Sequence, residues 1–76
     1  MIGIYDIVMF VNERSPWHGT LHIGQIGKVV NFDCGNVGAQ WQGLTGSHNC
    51  NGLALEGTGL YVYKDGVRVI KRGVLI

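Results

Sequence analysis

The run Ile23-Gly24-Gln25-Ile26-Gly27-Lys28-Val29-Val30-Asn31-Phe32-Asp33 is answered by Val37-Gly38-Ala39-Gln40-Trp41-Gln42. β-branched and aromatic residues recur in both stretches, and the segment between them has turn chemistry. Gly27, inside the first stretch, marks a bulge or a sharp bend. The second stretch alternates cleanly: Val37, Ala39 and Trp41 share one face, Gly38, Gln40 and Gln42 the other. This pattern predicts the middle of a small, strongly bent antiparallel barrel, with Trp41 in its core.

Nothing in the chain competes with that reading. No helical periodicity with caps persists beyond one turn, and 13 glycines against one proline suit tight turns and bulges better than helices. Seventy-six residues make one domain. Only 14% of them are charged, below the roughly 25% of ordinary domains, while 46% are hydrophobic. A small chain with so few charges leaves apolar surface for a partner or a second copy. No segment approaches the ~18 apolar residues of a membrane helix. Residues 1–11 are apolar, but they lack a basic leader and are interrupted by Asp6. No signal peptide or membrane association is therefore expected, and the expected location is cytoplasmic. There the two cysteines, Cys34 and Cys50, stay reduced.

Read in order, residues 5–12 form a first strand, apolar on both parities as a strand covered on both sides would be. Residues 12–24 form a long polar loop with Ser15-Pro16-Trp17-His18-Gly19 at its tip. Strands over 25–33 and 37–42 follow, and then a polar loop over 43–52. Leu53-Ala54-Leu55 is a short fourth strand. Residues 60–63 and 67–72 flank Lys64-Asp65-Gly66, and Asp-Gly between β-formers predicts a two-residue type I′ hairpin. That register sets Val62 opposite Val69, Tyr61 opposite Ile70 and Tyr63 opposite Arg68. Leu60, Val62, Val67 and Val69 fall on one face; Tyr61, Tyr63, Arg68, Ile70 and Arg72 fall on the other. Val74-Leu75-Ile76 is an apolar tail suited to a last strand or to a partner.

The order Asp6-Ile7-Val8, Ser15-Pro16-Trp17, Gly24-Gln25-Ile26-Gly27-Lys28-Val29-Val30, Val37-Gly38-Ala39-Gln40-Trp41 and Leu53-Ala54-Leu55-Glu56 resembles small SH3-like barrels. The small SH3-like protein of photosystem I, KOW-type modules and the mind-bomb domain share it. The resemblance covers about two thirds of the chain. It implies an all-β, SH3-like antiparallel barrel occupying the whole of 1–76, with a barrel core over 5–56. It also implies a class of use, as a docking module for proteins or nucleic acids. The chain departs from these relatives in two ways. It lacks the basic first strand of the photosystem protein, and it adds a C-terminal hairpin over 60–72 where such barrels end. The fold carries over, and no functional residue does.

The chemistry-bearing residues argue for binding rather than catalysis. Five carboxylates and three histidines are scattered, and Asp6 and Asp33 read as solvated residues at strand ends. There is no phosphate-binding glycine loop and no nucleophile elbow. Thr45, Ser47 and Thr58 near His48 make no triad. His18, His22 and His48, with Cys34 and Cys50, lack the paired spacing of a zinc site and read as loop residues, so no metal and no cofactor are expected. Charge divides unevenly: residues 64–76 carry Lys64, Arg68, Lys71 and Arg72 against Asp65, a net +3, on a body of net −2. Tyr61 and Tyr63 beside Arg68 and Arg72 could stack bases and hold phosphates, although cations on an edge hairpin also guard against aggregation. Tyr, Trp and Arg are equally the residues of protein hot spots. The expected activity is non-catalytic docking on a partner protein through Tyr61, Tyr63, Arg68, Ile70 and Arg72, with Trp17 and His18 at the loop tip. The style is that of a small bacterial or phage accessory protein, an inhibitor or modulator of a host protein. The alternative is a nucleic-acid-binding, KOW-type module using the basic hairpin. The hairpin edge could also pair two copies into a homodimer.

Overall fold

The β-rich stretches assemble into one five-stranded antiparallel sheet in the computed structural model, which describes residues 2–11 and 21–73. The strands are β1 (Ile7–Phe10), β2 (Ile26–Asp33), β3 (Asn36–Trp41), β4 (Gly59–Tyr63) and β5 (Val67–Lys71), and a 3₁₀ turn over Lys64–Gly66 separates the last two. Their order in the sheet is β4-β3-β2-β1-β5. The all-β expectation holds, and so do the strands expected at 5–12, 25–33 and 37–42. The first is trimmed to Ile7–Phe10: Tyr5 has φ 68° and donates its N–H to the Val29 carbonyl at 2.8 Å, Val11 lies beyond the strand, and Asn12 is outside the described residues.

β2 and β3 are joined through Cys34 and Gly35, at φ 52° and 81°, with Asp33 and Asn36 as the closing pair. Positive φ at both central residues is what a two-residue type I′ hairpin requires. The sheet is bulged between Val29 and Asn31, not at Gly27. Gly27 pairs with Trp41, and a Cβ there would lie 2.7 Å from the indole ring. Its role is close packing on the tryptophan.

The expected C-terminal hairpin and the expected fourth strand do not form. Residues 60–72 form no hairpin: β4 pairs with β3 and β5 pairs with β1, at opposite edges of the sheet. Tyr61 faces Gly38 and Tyr63 faces Asn36, while Val69 faces Val8 and Arg68 faces Met9. Neither Asp65 nor Gly66 has positive φ, so the type I′ turn does not form. The chain turns through a 3₁₀ segment with Gly66 buried, and the Gly66 carbonyl accepts from Val11 N–H at 2.9 Å. β1 explains the outcome. It is apolar on both parities, and β5 satisfies the backbone edge that β2 leaves open. The expected faces are kept: Leu60, Val62 and Val67 are buried, and Tyr63, Arg68, Ile70 and Arg72 are exposed.

Leu53-Ala54-Leu55 is also not a strand. It lies in turns closed by Ala54 N–H on the Asn49 carbonyl (2.9 Å) and Thr58 N–H on the Leu55 carbonyl (3.0 Å). Leu53 and Ala54 bond locally, Leu55 N–H donates to Gln40 Oε1 on β3 at 3.0 Å, Ala54 turns inward, and Leu53 and Leu55 stay in solvent.

The main core gathers Val8, Phe10, Val29, Val37, Trp41 and Val62 with their neighbours on one side of the sheet. A second, smaller cluster of Val30, Cys50 and Ala54 with Tyr61 packs apart from it. Alternation points Val30 away from Val29 and into this cluster, and the bulge keeps Asn31 on the same side. The long loop after β3 therefore folds onto the sheet, and Cys50 is fully buried. Burial pushes the Cys50 thiol up, only partly opposed by hydrogen bonding to the Ala39 and Leu60 backbone. A thiol shifted this way is a poorer nucleophile than an exposed one. Asp6 is likewise no solvated strand-end residue. It is 3% exposed and accepts from Gly3 N–H, Gly73 N–H and Arg72 Nη1. No helix among the described residues is long and apolar enough to cross a membrane.

Candidate functional site

Because β4 and β5 lie at opposite edges, the five residues expected on one hairpin face do not form one surface. Arg68 and Ile70 project from β5. Arg72 lies just beyond β5, its guanidinium 3.0 Å from the Asp6 carboxylate. Tyr61 and Tyr63 share a face of β4. Trp17 and His18 lie outside the described residues. The expected contiguous Tyr61, Tyr63, Arg68, Ile70, Arg72 face is thus divided between the two edges of the sheet. Two depressions of different character flank the end of β2.

The larger is an apolar groove of about 680 Å³ at the end of the sheet where the β2–β3 turn approaches the 3₁₀ turn. Ile2, Phe32, Val67 and Val69 line it, with Lys64, Asp65 and Arg72 among its polar residues. Phe32 pairs with fully buried Val37, yet 45% of it is exposed, because it sits near the end of β2 where the sheet no longer covers it. Tyr63 lines an adjoining depression that shares Gly35, Lys64 and Asp65. The sequence pattern places Phe32 in a strand without marking it as a site residue. The signal that could have found it is an aromatic next to the turn, where strand cover runs out.

The smaller feature is a polar depression of about 270 Å³ lined by Asp33, Asn36, His48 and Tyr61. The sheet register builds it. Asn31, Gly38 and Tyr61 are cross-strand neighbours, and so are Asp33, Asn36 and Tyr63 in the next row. Gly38 leaves a gap over which Asn31 Nδ2 reaches Tyr61 Oη at 2.8 Å. Asn51 Nδ2 donates to the same oxygen at 3.2 Å. The His48 ring stacks on Tyr61, centroids 5.5 Å apart and planes 19° from parallel. Its Nδ1 accepts from Cys50 N–H at 3.3 Å.

Gly38→Ala tests this arrangement. A Cβ at position 38 would collide with Asn31 Oδ1 and lie 2.7 Å from Tyr61 Cε1. The expected cost is about 1–3 kcal/mol, as for overpacking elsewhere. Urea unfolding should read it, with the Tyr61 ring resonances displaced. Wild-type stability with unmoved Tyr61 signals would mean that Asn31 and Tyr61 do not bridge over this glycine.

Among the described residues no three His, Cys, Asp or Glu side chains converge as metal ligands would. Cys34 is exposed at the β2–β3 turn and Cys50 is buried under the long loop. No known family model, curated protein or solved structure matches the chain.

Proposed function

We propose that this chain is an SH3-like module without catalytic activity that docks on a partner protein. The antiparallel run β2-β3-β4, the return of β5 to β1 and the 3₁₀ turn before β5 support the SH3-like reading. The observation that carries the docking reading is the groove at Phe32: an exposed aromatic in an apolar concavity lined by Ile2, Val67 and Val69. Open apolar concavities of this kind receive anchor side chains. Lys64 and Asp65 balance in the lining and the Arg72 guanidinium is paired with Asp6, so the matching partner is a protein segment that presents an apolar anchor.

Phe32→Ala should weaken capture of the partner by about 2 kcal/mol or more. Leu53→Ala, at a leucine 59% exposed in the long loop, should leave it unchanged. The measurement is affinity capture with the tagged chain, with and without nuclease. Capture of one protein that resists nuclease and depends on Phe32 is the expected result. Capture that survives Phe32→Ala removes the groove as the docking site. Capture abolished by nuclease favours the nucleic-acid reading, supported by Lys64, Arg68, Lys71 and Arg72 within nine residues of chain.

A further inference from the structure

The polar depression beside Tyr61 has a hydrogen-bond inventory that selects its ligand. Tyr61 Oη accepts from both Asn31 and Asn51. A phenol oxygen has two lone pairs and one proton. With both lone pairs engaged, the Tyr61 O–H remains a donor with no acceptor among the described residues. His48 Nδ1 accepts from Cys50 N–H, which leaves Nε2–H as a second donor. Asp33, exposed at the end of β2, offers two acceptor oxygens. Asn36, paired across the hairpin from Asp33, offers one donor group and one acceptor.

A ligand satisfying all of them presents a carbonyl to Tyr61 and His48 and adjacent N–H donors to the carboxylate. A simple cation would leave the Tyr61 and His48 donors unmet, and a simple anion would face Asp33. We propose that this depression binds a guanine base. Its Watson–Crick edge sets a carbonyl, for the Tyr61 and His48 donors, beside two N–H donors, for Asp33. Adenine places a ring-nitrogen acceptor where guanine has its ring N–H, and would turn a lone pair toward Asp33. The exposed His48 ring, stacked on Tyr61 in the lining, supplies aromatic surface for a flat base. The site is separate from the Phe32 groove: no residue lines both.

The test is a titration of the whole chain with GMP, following the Tyr61 and His48 ring resonances and the Asn36 side-chain amide by NMR. Saturable shifts confined to these groups are expected, with a Kd of about 1 mM or below, ordinary for a single base in a shallow site. AMP should bind about tenfold more weakly, and Asp33→Asn should weaken GMP by about tenfold, the scale of a lost hydrogen bond to a charged acceptor. Asp33 is exposed, so this variant keeps the fold, checked by its unchanged spectrum away from the site. A strand of sequence UUGUU is the second probe. Tighter binding than GMP supports a base read within single-stranded RNA; equal binding supports a free guanine nucleotide. The proposal is overturned by no saturable shift with either probe, by equal binding of GMP and AMP, or by an acetylated arginine amide that shifts Tyr61 and His48 at lower concentration than GMP does.

Discussion

Trp41→Ala is expected to remove a large part of the domain's stability. The indole is 1% exposed, packs edge-to-face on Phe10 at 6.0 Å between centroids, and donates Nε1–H to the Leu60 carbonyl at 3.2 Å. It also fills the space that Gly27 leaves above β2. Truncation removes a large apolar surface, opens a cavity between β2 and β4, and strips the buried Leu60 carbonyl of this donor. Large-to-alanine changes of this kind cost about 3–5 kcal/mol. A chain of 76 residues has on the order of 4–11 kcal/mol of total stability. Thermal unfolding followed by circular dichroism reads the effect directly. A variant melting with wild-type cooperativity at the wild-type temperature would show that this core does not depend on the indole.

The second large effect is at Asp6. Its carboxylate ties the start of the chain, at Gly3, to the segment after β5, at Gly73. Hydrogen bonds from the Gly73 and Gly3 amides, with Arg72 adding to them, hold its carboxyl below the ordinary value of 3.8 against the opposing effect of burial. A carboxyl depressed in the folded state stabilises the fold above its unfolded pKa. That stability is lost as pH falls through the folded pKa. Acidification below about pH 4 should therefore lower the melting temperature of the wild type. Asp6→Asn should melt lower at neutral pH, because the amide turns an N–H₂ toward backbone donors, and it should lose this component of the acid dependence. The two melting curves should converge at low pH. Arg72→Ala should do much less, since the guanidinium is 65% exposed and solvent screens the pair. A wild-type melting temperature that is flat through the acid range, or an Asp6→Asn variant retaining the full slope, would remove Asp6 from this role.

Much of the candidate site is legible in the sequence as parts and illegible as an arrangement. Parity on β4 and β5 follows from alternation, which sets Tyr63, Arg68 and Ile70 outward, as they are in the fold. Their grouping fails because an Asp-Gly pair between strands is a local signal, and local turn preference is a small energy beside strand pairing. His48 and Tyr61 are thirteen positions apart, and their stacking depends on a loop folding back over Gly38 and Gly59. Asp6 reads as solvated because its partners Gly3 and Gly73 bond through backbone amides, which side-chain patterns do not report.

The sequence by itself determined the class, the three leading strands, the β2–β3 turn and the place of Trp41 in the core. Each rests on period-two burial or turn chemistry within a few residues, where steric preference and hydrophobic alternation act without the rest of the chain. The tertiary structure decided which strand accompanies β1, where the long loop settles, and how Phe32 comes to line a groove. These outcomes turn on satisfying backbone edges and burying apolar faces across the whole sheet, so distant segments compete for them. β5 joined β1 because that pairing satisfies an edge of a strand apolar on both faces, which no turn between β4 and β5 could offset.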